Sequence, residues 1–166
     1  GNMGAEERKE MLFWTREEYT KFSEAMMDKP LSFYAFEVLY WCGVREGELL
    51  ALTPADFDFE KRTLTINKSY QRINKPDSRM FPNSKSYLHR EMDRGCKQTG
   101  VKRIRIHDLR HSHISLLIDM GFTALAIAER VGHESIDITY RYAHLFPTRQ
   151  VEMADKLDSL KNEKGV

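Results

Sequence analysis

A chain of 166 residues, 41% hydrophobic and 31% charged, is long enough for one domain with a core of its own and has the composition of a soluble globular protein. It contains no apolar run of membrane-crossing length and no leader pattern, which argues against an integral membrane or exported protein and makes a cytoplasmic one the expectation. The net charge of +1 hides a strong asymmetry: residues 61–110 hold 14 Lys and Arg against 4 Asp and Glu, a local balance of +10, while the rest of the chain carries −9.

Gly1-Asn2 ahead of Met3 has the look of a cloning remnant, so residues 1–12 are set aside as remnant and tail, and 13–166 are read as the folded domain. Thr15 and Glu18 form a capping box that opens a helix over 15–28. Residues 31–42 (Phe33, Phe36, Leu39, Tyr40) predict a helix buried on most sides and ended by Gly43. Residues 45–52 predict a short helix stopped by Thr53-Pro54. Residues 56–59 and 63–67 alternate as strands around a turn at 60–62. The stretch 68–83, with Pro76 and Pro82, is polar and irregular.

Ser84 caps a helix over 84–99 that Gly100 closes. A helix over 107–120 has Leu109, Leu116, Leu117 and Met120 as its core stripe and carries His107 and Arg110 on one face. Thr123 caps a helix to Val131, and Gly132 takes the left-handed closing position. Residues 135–146 predict a helix carrying Tyr142, broken by Pro147. A last amphipathic helix spans 148–161 (Val151, Ala154, Leu157, Leu160). The expected class is mainly α with a small antiparallel β-sheet, α+β. Cys42 and Cys96 lack metal-ligand spacing, and Cys42 reads as a small core residue.

Chemistry concentrates in four places. Arg45 lies in Gly43-Val44-Arg45-Glu46-Gly47-Glu48-Leu49-Leu50. His107-Asp108-Leu109-Arg110-His111 follows the basic stretch, then come Gly132-His133 and Tyr142-Ala143-His144. A phenol can attack phosphorus, a guanidinium grips a phosphoryl group through two parallel hydrogen bonds, and a histidine moves protons near neutral pH. Lysine replaces such an arginine poorly, because a point charge cannot reproduce the planar fork. The basic segment is the footprint of a polyanion-binding face; the alternative is a solvated surface neutralised by acids from elsewhere in the fold.

These boxes resemble those of the tyrosine recombinases, the phage and transposon integrase family, over roughly residues 13–160. Arg45 with Glu48 matches the arginine box, His107 with Arg110 the His-x-x-Arg box, and His133 the Gly-His box, with Tyr142 nine residues beyond. Each box alone is weak; four in order with this terminal spacing are specific. The resemblance implies site-specific DNA recombination by transesterification. Tyr142 is the nucleophile, Arg45 and Arg110 hold the non-bridging oxygens, and His107 and His133 bond the phosphate or carry the phenolic proton. The product is a 3′-phosphotyrosyl link with a free 5′ hydroxyl. No metal or cofactor is required. The implied partner is double-stranded DNA, with a homo-tetramer assembling on it from a chain that is monomeric alone, and no membrane is involved.

Each residue also has a plainer reading. Tyr142 is then an ordinary half-buried aromatic, Arg45 a helix-capping or ion-pair residue with Glu46 or Glu48 as partner, and His133 the residue after a helix end. Tyr140 competes with Tyr142, but two residues apart on a helix point to nearly opposite faces, and Tyr140 reads as packing. His111, His113 and His144 read as packing or supporting groups, Glu48 as orienting an arginine, and Asp108 as a helix N-terminal carboxylate.

Two departures from the family stand out. The interval between the strands and the His-x-x-Arg box is short, so that either a segment between 73 and 77 is omitted from this chain or the protein has lost it, and the family's lysine acid has no assigned counterpart, since nothing singles out Lys68 or Lys75. A true deletion implies slow cleavage. The N-terminal DNA-binding domains are also absent, which implies weak, salt-sensitive and unselective DNA binding. Competing functions are a non-enzymatic binder, with 107–120 and 123–131 as a helix-turn-helix-like pair, and a type IB topoisomerase. The helix at 148–161 docks on a neighbouring subunit or packs on its own domain.

Overall fold

The computed structural model describes residues 11–70 and 78–163. The chain divides into two compact units, residues 1–117 and 118–166. Among the described residues the architecture is helical with one two-stranded antiparallel sheet. No helix among them is long and apolar enough to cross a membrane.

The first unit begins with α1 (Arg16–Met26), whose capping box forms as its residues predict: Glu18 N–H donates to Thr15 Oγ1 at 3.2 Å and Thr15 N–H to Glu18 Oε1 at 3.1 Å. Proline at the first position opens α2 (Pro30–Cys42), and Gly43 closes it in the left-handed region at φ 68°. Ala35, Phe36, Leu39 and Tyr40 of α2 are buried, but Leu31, Tyr34 and Trp41 are exposed, so one face is open rather than most sides covered. Cys42 is half-buried against the core.

The short α3 (Glu46–Ala51) places Arg45 just ahead of it, at the cap. A 3₁₀ turn at Pro54–Asp56 leads into β1 (Phe57–Asp58) and β2 (Thr63–Leu64), paired as Phe57 with Leu64 and Asp58 with Thr63. These strands are shorter than the sequence alternation suggests. A two-stranded hairpin is marginal by itself, and its ladder is extended only by Thr65 N–H to Asp56 C=O at 2.9 Å. Residues 68–70 and 78–83 are irregular, as expected, and the expected break between 73 and 77 lies outside the described residues. Both flanks of that break are tied to the α3 region. Tyr70 N–H bonds Gly47 C=O at 2.8 Å, Met80 N–H bonds Leu52 C=O at 2.7 Å, and the Arg79 guanidinium sits 4.4 Å over the Tyr70 ring.

Ser84 caps α4 (Lys85–Thr99), and Gly100 ends it at φ 74°. α5 (Asp108–Asp119) starts one residue later than the sequence suggests. Its core residues are Leu109, Ile114 and Ile118; Leu116 and Leu117 are half-buried and Met120 is exposed, so the expected stripe is rotated. The core of this unit gathers Trp14, Phe22, Phe36, Leu39, Leu88 and Met92, together with Ile104, Ile106 and Leu109. Each such side chain, fully buried, contributes about 1.5–3 kcal/mol. Gly95 lets α1 approach α4: a Cβ there would lie 2.3 Å from Phe22 Cε2.

In the second unit, α6 (Ala124–Val131) packs against α7 (Ser135–Arg141) through Ile127, Ala128, Val131 and Ile138. α7 ends before Tyr142, and a 3₁₀ turn at Ala143–Leu145 follows, so the expected helix over 135–146 is broken at Tyr142. α8 (Gln150–Glu163) has no buried residue, and Val151, Met153, Leu157 and Leu160 of its apolar stripe are exposed. At its start, Gln150 and Met153 line a cavity with Ile118, Phe122, Thr139 and Phe146 of the same unit, and the far part of the stripe, Leu157 and Leu160, stands open.

Candidate active site

Arg45 follows the tight closure of α2. Its backbone N–H donates to Glu48 Oε1 at 3.3 Å, and its Nη1 lies 3.6 Å from the same oxygen. Glu48 therefore orients both the backbone and the head of Arg45, whose side chain is half-exposed. Glu46 has a different partner, His89 Nε2 at 3.1 Å.

Arg110 is held differently. It is 3% exposed, and its Nη1 donates to the Gly43 carbonyl at 2.7 Å. This bond ties the first turn of α5 to the residue two before Arg45, and so joins the two arginine boxes. Gly43 has two reasons to lack a side chain: its positive φ, and the His113 ring, whose Cδ2 would lie 2.4 Å from a Cβ. The sequence reading saw Gly43 only as a helix stop. The close approach and the carbonyl depend on long-range packing that a single sequence does not reveal.

His107 sits in the turn ahead of α5 rather than on the helix, and is exposed. Its ring meets His111 edge-on with centroids 5.0 Å apart. Its imidazole titrates below the ordinary histidine range. Partial desolvation is the largest cause, followed by the charges of Arg110, Arg105 and Arg45, with Asp108 opposing them. Three guanidinium groups thus raise the local potential around one neutral imidazole.

Asp108 is fully buried and accepts from Arg105: the backbone N–H at 2.8 Å, Nε at 3.2 Å and Nη2 at 2.9 Å. Its role is to brace the turn before the helix, beyond the favourable position of a carboxylate in a first turn. His111 and His113 are buried, as a packing role requires; His144 is exposed.

In the second unit, Gly132 closes α6 at φ 73°, and both its N–H and that of His133 bond the Ala128 carbonyl, at 2.9 and 3.1 Å. His133 thus directly follows a helix end. Tyr142 caps α7, its N–H bonding Ile138 C=O at 3.1 Å, and is 1% exposed, while Tyr140 is 81% exposed. Tyr140 and Tyr142 do face opposite ways, as their spacing predicts, but the packing role expected of Tyr140 is wrong: α7 buries only the face that carries Ile138, and the Tyr140 ring stands in solvent. Arg45, His107 and Arg110 belong to the first unit, and His133 and Tyr142 to the second.

Lys68 is engaged with Asp56 at 2.6 Å, and that bond, with those from Thr53, holds the Asp56 carboxyl below the usual range. Lys75 lies outside the described residues. The basic stretch is neutralised in part by acids from elsewhere: Asp56 pairs with Lys68, Asp28 with Arg94, and Glu18 with Lys102. No cluster among the described residues has three metal-ligating side chains.

Residues 73–149 match the Phage integrase family. The ICEBs1 integrase of Bacillus subtilis (strain 168) is 32% identical over 205 residues, which takes in 92% of this chain and 56% of that protein. The chain thus spans about half the length of this relative. Because 205 exceeds the 166 residues here, the relative carries residues inside the matched span that have no counterpart in this chain. The catalytic domain of bacteriophage HP1 integrase has the same fold, with a TM-score of 0.65 at 20% identity, covering 92% of this chain and 98% of that domain. So does the XerH site-specific recombinase bound to its difH substrate, at 0.67 and 20%, covering 86% of this chain and 51% of that one.

Proposed function

Since the chain belongs to the phage integrase family of tyrosine recombinases, we propose that residues 13–166 are an integrase catalytic domain that cuts and rejoins DNA for a mobile element. Tyr142 attacks a backbone phosphorus, forming a phosphotyrosyl bond as the bond to the 5′ oxygen breaks. Free phenol, with a pKa near 10, is about 0.1% ionised at pH 7, so the attack needs a proton acceptor and nearby positive charge. Arg45 and Arg110 each hold a non-bridging oxygen and offset the charge that grows on the pentacoordinate phosphorus. His107 and His133 bond the phosphate or take the phenolic proton, and the neutral state favoured for His107 suits an acceptor. Attack of a 5′ hydroxyl on the phosphotyrosine reverses the step and rejoins a strand, so no energy source is consumed. The donor of the proton to the leaving 5′ oxygen is assigned to no residue.

The observation that carries this reading is the bond from Arg110 Nη1 to the Gly43 carbonyl. It brings both arginine boxes to one place, which an ordinary ion pair for either residue would not require. A nicked suicide duplex tests it: the chain becomes covalently attached to DNA, and Tyr142→Phe abolishes the adduct while Tyr140→Phe does not. DNA binding without an adduct would leave a binding module. Relaxation of supercoils without strand exchange would indicate a topoisomerase.

The partner is double-stranded DNA, a reading supported by the XerH recombinase, which is bound to its difH substrate, and assembly on two duplexes is tetrameric. The exposed stripe of α8 supports docking on a neighbouring subunit.

A further inference from the structure

We propose that Arg105 is a third phosphate grip, preset by Asp108, which takes a DNA backbone phosphate next to the one that reacts; this rests on the DNA-cleaving reading above. The segment leading into α5 alternates: Ile104, Ile106 and Asp108 are buried, while Arg105 and His107 are exposed, so the guanidinium shares the solvent side with His107 of the candidate site. The Arg105 side chain is 75% exposed, yet its head is fixed by a carboxylate that is fully buried.

An exposed arginine normally samples many rotamers, and holding it in one ion pair costs most of what the pair gains. Here the anchor is rigid. Asp108 N–H bonds the Arg105 carbonyl at 3.0 Å, Arg105 N–H bonds Asp108 Oδ2, and the head meets both carboxylate oxygens side-on through Nε and Nη2. A guanidinium has five N–H donors. The side-on contact uses two of them and leaves the Nη1 edge and the outer Nη2 hydrogen for an anion. An arginine ordered before binding loses less freedom on contact, which is how a weak surface charge becomes a positioning group. Its charge also acts on His107, alongside those of Arg110 and Arg45.

Salt dependence separates a phosphate contact from a surface ion pair, because each neutralised phosphate releases counterions. The full chain is titrated onto a fluorescent DNA duplex between about 50 and 200 mM salt. Arg105→Ala is expected to make the log–log slope shallower by about 0.9, so its affinity deficit narrows roughly three- to fourfold across that range. Arg105→Gln, whose amide still donates to Asp108 but carries no charge, is expected to give the same slope change with unaltered thermal unfolding; it carries the test if Arg105→Ala misfolds. Arg105→Lys is expected to retain the wild-type slope. A wild-type slope in the glutamine variant overturns the proposal while leaving the DNA reading intact. Wild-type binding that ignores salt overturns both.

Discussion

The two units are built to different specifications. The first buries an aromatic and aliphatic core and closes its polar groups around it: Arg110 on Gly43, Arg105 on Asp108, Trp14 N–H on Ser112 Oγ at 2.8 Å. The second packs two short helices over a few apolar residues and ends in a helix that buries nothing. The residues proposed to grip phosphate sit in the unit with the larger core, and the proposed nucleophile sits at the end of a seven-residue helix in the smaller one. Charge stabilisation depends on donors that do not reorganise, so it belongs on a stiff frame. The Tyr142 ring itself is buried within this smaller unit.

Removing the buried arginine should break the unit with the larger core most severely. Arg110→Ala is expected to reduce cleavage of a suicide substrate by about 10²–10³-fold. It should also lower the unfolding free energy by about 1–3 kcal/mol, because the Gly43 carbonyl loses its donor inside the core. Arg45→Ala should cost a similar factor in cleavage but at most about 1 kcal/mol in stability, since its ion pair with Glu48 is half-exposed. Equal destabilisation by the two would erase the distinction between a buried and an open arginine.

Gly43→Ala comes next. It forces a side chain into a left-handed backbone and against the His113 ring, and is expected to cost about 1–3 kcal/mol from the backbone alone. Chemical denaturation reads it, and a neutral result would mean that α2 can end another way.

A smaller effect follows from His107. Its pKa is lower folded than unfolded, so below the unfolded value, near 6.5, the unfolded chain binds more protons. Stability is then fully present above that pH and is lost as pH falls through the folded value. His107→Gln should flatten this part of the stability–pH curve, as seen by thermal unfolding between about pH 7 and 5. An unchanged curve would show that neither burial nor the three guanidinium groups lower the pKa of this ring.

Helix boundaries set by caps were legible in the sequence because caps are local: Thr15 with Glu18, Ser84, Thr123, and the glycines at 43, 100 and 132 lie where the chain turns. The five candidate residues were chosen by spacing: Arg110 lies in α5, His107 in the turn before it, Arg45 at the start of α3, His133 just after α6 and Tyr142 at the end of α7. What escaped was set at a distance. The rotation of α5 that exposes Met120 depends on neighbours, as does the shortness of β1 and β2. The end of α7 at Arg141 has no proline or glycine to announce it, so the helix was expected to run on to residue 146. Asp108 looked like a helix-terminal charge because its partner, Arg105, lies three residues back in a turn that only the fold defines.

The smallest expected effect on the isolated protein concerns α8, and it is the one that tests the smaller unit. Leu157 and Leu160 are 66% and 58% exposed. Replacing both with serine removes apolar surface already in water, so unfolding should change by no more than about 0.5 kcal/mol. If the stripe docks on another subunit, the same change should abolish cross-linked assemblies on DNA while leaving cleavage of a half-site substrate intact. A loss of about 2 kcal/mol or more would mean that α8 packs within its own chain in solution. Unchanged stability together with unchanged assembly would leave the stripe with no role in association. The comparison would then rest on Tyr142 alone, whose place at the end of α7 would have to account for the smaller core of its unit.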